Sequence, residues 1–134
     1  PALKGILETR KNPFWTLALS KPRGIFGNNF NAQENSEMYK AVSPIYNIPN
    51  IDERKLPPQF ITSASEDRVT PVHAIEEYVK ALKDAGQEVT YWEYKDQRHA
   101  YLDSGKTFLS GNDFKRDAIP ALKKIMNFLN SKLL

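Results

Sequence analysis

Apolar and polar positions change rhythm along this chain. Residues 1–8 form a short apolar run, which reads as a buried strand over roughly 3–8. Residues 10–58 then lose any steady period. Pro13, Pro22, Pro44, Pro49, Pro57 and Pro58 punctuate them, and the aromatics Phe14, Trp15, Phe26, Phe30, Tyr39 and Tyr46 are scattered. Short helices are predicted near 13–20 and 32–42, within an irregular insertion at about 10–56 rather than a second domain.

From residue 59 the pattern is regular. Residues 59–64 (QFITSA) predict a strand, ended by Ser65-Glu66-Asp67. A helix follows from about 71 to 85, with Val72, Ile75, Val79 and Leu82 on one face. Pro71 suits its first turn, Thr70 is placed to cap it, and Gly86 stands where a left-handed residue closes a helix. Residues 88–94 (EVTYWEY) are β-branched and aromatic, a second strand. The turn 96–99 leads to a loop marked by Gly105 and Gly111. A last helix spans about 117–132, with Asp117 as its cap, Pro120 in its first turn, and Ile119, Leu122, Ile125, Met126 and Leu129 as a buried stripe. A strand–helix–strand unit of this length implies a parallel crossover. The fold class is α/β with parallel strands.

Composition narrows the functional classes. Of 134 residues, 40% are hydrophobic and 26% charged, as in soluble globular chains. The net charge of +3 is interspersed, with no Lys/Arg block to track a phosphate backbone, so nucleic acid is not an expected partner. No apolar run reaches membrane-span length and no signal-peptide pattern opens the chain. There is no cysteine, hence no disulfide framework or thiolate metal site, which favours the cytoplasm while remaining compatible with secretion. With only His73 and His99 as histidines, a multi-histidine metal site is not expected, and no metal or cofactor is assigned.

Two residues stand out by position. Asp67 lies just past the carboxyl end of one predicted strand and His99 just past the end of the next. In an open parallel sheet these loops share one edge, where ligands bind. Neighbouring strands lie about 4.8 Å apart, so carboxylate and imidazole can meet. The carboxylate would fix the imidazole tautomer, and the imidazole would take a proton from an alcohol nucleophile.

The stretch Leu56-Pro-Pro-Gln-Phe-Ile-Thr-Ser-Ala-Ser-Glu-Asp67-Arg-Val-Thr-Pro71 resembles the acid-bearing segment of the α/β-hydrolase superfamily, in its esterase/lipase and prolyl-oligopeptidase-like branches. The run from Tyr78 through Gly86 and Tyr94 to His99 continues the likeness, and Ser43-Pro44 is similar to a recurrent Ser-Pro before the acid strand. The resemblance covers residues 41–134 by motif and 1–40 only by order. It implies a partial three-layer sandwich: the last three strands, the last two helices and a cap-like insertion, all one domain over 1–134. It also implies Asp67 as triad acid and His99 as general base of a serine hydrolase acting on carboxylic esters, or on peptides. The family usually has Gly after the His, where this chain has Ala100. It places its nucleophile within Gly-x-Ser-x-Gly, a pattern the chain does not contain. The serine is expected about 20–40 residues upstream of Pro1, so the chain alone is expected to be inactive. The strand at 3–8 would then present an open edge and favour self-association.

Other readings are blander. Ser63 and Ser65 lack the glycine flanks of a strained nucleophile turn. Glu66 is a less favoured acid than Asp67, His73 reads as a surface residue, and Lys123, Lys124 and Lys132 as a solvated helix face. A non-catalytic binding module on the same architecture is the functional alternative. A flavodoxin-like domain finds no support, since no glycine-rich phosphate loop follows the first strand.

Overall fold

A computed structural model describes residues 35–102 and 112–133; the expected strand at 3–8 and helix near 13–20 lie outside them. The described chain runs α1 (Ser36–Val42), a 3₁₀ turn (Pro44–Tyr46), β1 (Gln59–Ala64), α2 (Val72–Asp84), β2 (Val89–Tyr94), a π-helical turn (Phe114–Ala118) and α3 (Ile119–Leu133).

β1 and β2 pair in parallel, from Gln59 opposite Val89 to Ala64 opposite Tyr94. α2 is the crossover between them, as a parallel pair requires. Side chains alternate across the sheet. Gln59, Ile61, Ser63 and Tyr91 share the face toward α2, where Tyr78 Oη donates to Gln59 Oε1 at 3.4 Å. Phe60, Thr62, Ala64, Trp92 and Tyr94 share the other. There the Phe60 ring meets Phe128 of α3 at 5.3 Å, and Ala64, Tyr101 and Ala121 form a buried cluster backed by Trp92 and Tyr94. The described residues therefore stack in three layers, α2, sheet and α3, which is the expected α/β arrangement. None of their helices is long and apolar enough to cross a membrane.

α2 buries Ala74, Val79 and Leu82, while Val72 and Ile75 are half-buried. Leu82 is fully sealed, and side chains of its kind contribute about 1.5–3 kcal/mol on burial. Gly86 ends the helix at φ +74°, with its N–H on the Lys83 carbonyl and that of Gln87 on the Leu82 carbonyl, a left-handed closure. A Cβ there would also meet Ile51 Cγ2 at 2.8 Å. Gln87, buried just beyond, clasps the preceding loop. Its Nε2 donates to the carbonyls of Pro49 and Arg54 at 2.9 Å each, and its Oε1 accepts the Leu56 N–H at 2.9 Å. Asn47 similarly closes α1 by donating to the carbonyls of Lys40, Ala41 and Ser43.

Several expectations need correction. Thr70 does not cap α2: Pro71 occupies the cap position without a side-chain bond, and the Thr70 N–H turns back to Asp67. Asp117 is not the cap of the last helix. Asp113 opens the preceding π-turn and accepts the Arg116 N–H at 3.1 Å, while Asp117 reaches back to the Asp113 N–H at 2.7 Å. This is a capping box stretched by one residue because the turn is wider than an α-turn. Nor is the stripe of α3 buried. Leu122, Met126 and Leu129 are 38%, 59% and 45% exposed, and the fully sealed residues are Ala118 and Ala121. The small alanines give the helix its close face, and Phe128 supplies the ring contact. The lysines of α3 are not merely solvated: Lys124 Nζ sits 4.9 Å above the Trp92 ring, and Lys132 Nζ lies 2.5 Å from Glu88, holding that carboxyl below its ordinary pKa.

Candidate active site

β1 and β2 end level with each other, and their ladder continues into the loops that follow. The Ser65 N–H reaches the Tyr94 carbonyl at 3.0 Å and the Glu66 N–H the Gln97 carbonyl at 2.8 Å. The first loop then turns tightly, with the Asp67 N–H on the Ala64 carbonyl at 3.0 Å. Asp67 Oδ1 accepts the N–H groups of Val69 and Thr70 at 2.7 and 2.8 Å, an Asx-type turn that fixes the carboxylate before α2 begins. The second loop turns at Asp96, whose φ of +58° is a conformation that Asp tolerates and whose N–H donates to Ser65 Oγ at 2.8 Å.

These turns bring the two residues singled out by the sequence together. His99 Nδ1 lies 3.0 Å from Asp67 Oδ2. The carboxylate is 10% exposed and fully engaged, Oδ1 by backbone and Oδ2 by the ring, while the imidazole is 51% exposed. An ionised Asp67 accepts from Nδ1–H, which leaves the Nε2 lone pair directed away from the carboxylate and available to a reacting group. Thr62, Ile75, Tyr101 and Leu102 line the shallow depression shared by the pair.

The His99 loop is anchored on both sides. Its carbonyl accepts from Asn112 Nδ2 at 2.9 Å. Ala100 follows at φ +61°, and Tyr101 is buried with its hydroxyl donating to Thr62 Oγ1 at 3.0 Å. Burial pushes the Tyr101 phenol upward in pKa, so it stays a donor. The Ala100 conformation gives a physical reason for the glycine usual after this histidine in the resembling proteins: the left-handed region favours a residue without Cβ.

The alternative groups are engaged otherwise, although Ser63 lines the same depression. The Ser63 hydroxyl pairs with Tyr91 Oη at 2.7 Å, and that of Ser65 holds the Asp96 N–H. Glu66 is exposed and joins the turn through its backbone; the carboxylate against the imidazole is that of Asp67. His73 is exposed at the start of α2.

Sequence reasoning missed Asn112, Gln97 and the role of Asp117. Asp117 is fully buried, and Arg116 donates to it twice at 2.6 Å, holding its carboxyl below the ordinary range. It also receives Gln97 Nε2 at 3.3 Å. The available signal was a cluster of polar residues, Asn112, Asp113 and Asp117, gathered just before an apolar helix.

Two parallel strands joined by a helix and flanked by a second helix are compatible with part of an α/β-hydrolase fold. Residues 17–133 match the prolyl oligopeptidase family, and the chain belongs to that family. Among solved structures it is similar to Thermogutta terrifontis esterase 2. The form phosphoramylated by tabun is 21% identical with a TM-score of 0.51, over 72% of this chain and 34% of that one. The form phosphonylated by cyclosarin is 22% identical with a TM-score of 0.48, over 66% and 31%. The chain thus spans about a third of the length of the esterase it resembles. No curated protein matches it.

Proposed function

We propose that this chain supplies the acid and the base of a serine hydrolase that cleaves carboxylic esters, with peptides as the second substrate class. The observation that carries the reading is the 3.0 Å contact between His99 Nδ1 and a carboxylate held by two backbone N–H groups. In this reading a serine hydroxyl, contributed by residues of the intact protein outside these 134, attacks the acyl carbonyl. His99 Nε2 takes the hydroxyl proton as the new C–O bond forms, and Asp67 stabilises the resulting imidazolium. The imidazolium then protonates the departing alkoxide or amine, and the acyl-enzyme is released by water that His99 activates in the same way. The solved relative is an esterase by its description, which favours esters over peptides; the family name favours the reverse. The isolated chain, which has no Gly-x-Ser-x-Gly, is inactive in this reading.

The test is turnover of a short-chain carboxylic ester and of a peptide amide by the intact protein, beside its His99→Ala and Asp67→Asn variants. Loss of turnover in folded variants is expected. Unchanged turnover of both substrates would remove the acid–base assignment and leave the binding module.

A further inference from the structure

We infer that Asn112 is a positioning residue for His99, acting through the main chain rather than the ring; this rests on the acid–base reading of Asp67 and His99. The imidazole is half exposed, so packing alone does not fix it. Asp67 holds Nδ1, but one hydrogen bond leaves the ring free to swing about it. What remains is the peptide that carries the side chain. The His99 carbonyl is held by Asn112 Nδ2 at 2.9 Å, and Asn112 is 3% exposed. The peptide plane pinned in this way is the one leading into Ala100 at φ +61°, a conformation an alanine leaves readily when nothing holds it.

Asn112 is itself built on a rigid base. The next residue, Asp113, has its N–H on Asp117 Oδ2 and its carboxylate on the Arg116 N–H. Asp117 is sealed and also receives Gln97, two residues before His99. The segment leading into the last helix therefore grips the His99 loop at two points, Gln97 from its side chain and His99 from its carbonyl. Without the Asn112 donor, Ala100 relaxes toward negative φ, the His99 Cα–Cβ direction turns, and Nε2 leaves the line of the nucleophile.

The experiment uses the intact protein with Asn112→Asp, nearly the same size but an acceptor at neutral pH, and Asn112→Ala. The first readout is the proton resonance of His99 Nδ1–H in the hydrogen bond to Asp67, recorded without substrate. The second is the split between kcat and KM for an ester. Both variants are expected to shift or broaden the resonance at neutral pH and to lower kcat about tenfold or more with KM little changed. A folded Asn112→Asp with the unaltered resonance overturns the inference, as does an altered resonance with unchanged kcat. If His99→Ala itself leaves turnover intact, the acid–base reading has failed, and the resonance alone decides the positioning role. If Asn112→Ala does not fold, Asn112→Asp alone carries the test.

Discussion

The N–H of Glu66 donates to the carbonyl of Gln97 at 2.8 Å, joining the loop one residue before Asp67 to the loop two residues before His99. Strand pairing thus extends past the formal ends of β1 and β2, and the two loops form one unit. The segment leading into α3 holds the second loop through Asn112 and Asp117.

Asp67 has two separable duties. Oδ1 organises the turn and Oδ2 meets the imidazole. Asp67→Asn keeps an acceptor for the turn, so stability should stay close to that of the unaltered protein, while under the proposed acid–base roles kcat of the intact protein should fall by about 10⁴ because the amide favours the wrong tautomer. Asp67→Ala should in addition lose about 1–3 kcal/mol, since the Val69 and Thr70 N–H groups lose their acceptor. Urea unfolding beside ester kinetics separates the two effects.

Ala100 carries a left-handed backbone that a glycine adopts at lower cost. Ala100→Gly should leave stability unchanged or raise it by up to about 1 kcal/mol, relief of the strain being partly offset by the added freedom of the unfolded chain. Ala100→Val should destabilise by more than about 1 kcal/mol, since a β-branched residue tolerates this region worst. A stabilised Ala100→Val in denaturant titration would contradict the geometry of this turn.

Gly86 is required by both conformation and space. Gly86→Ala should cost about 2 kcal/mol, combining positive φ with the approach to Ile51 Cγ2. Ile51→Ala should recover part of that loss in the double variant and none of the conformational share. Thermal midpoints of the four proteins in the cycle check this.

Asp117 links folding to pH. Arg116 holds its carboxyl below the ordinary value, so its contribution is fully present above the carboxylate pKa of the unfolded chain. That contribution is lost as pH falls through the depressed folded value. Asp117→Asn should therefore flatten the acid limb of the stability profile, measured by denaturation from neutral to acidic pH.

The regular half of the chain was readable because its signals are local. The strand at 59–64 stops at the polar break Ser65-Glu66-Asp67, Gly86 closes a helix where a glycine should, and Asp67 and His99 follow successive strands. The stripe of α3 misled because periodicity identifies an apolar face but not how deeply it is covered, and here Ala118 and Ala121 make the close approach. Asn112 was not legible. Its partner is a backbone carbonyl thirteen positions away, and no side-chain pattern encodes that meeting.

Gln87 offers two donors and one acceptor engagement at a single side-chain length, and the loop from Pro49 to Leu56 uses all three. Glutamate of the same length would face two carbonyls with a carboxylate, and lysine or methionine would leave the Leu56 N–H without its partner. Asparagine, one methylene shorter, would fall short of all three. The path of the loop from Pro49 to Leu56 is therefore written in one side chain just past the end of a helix.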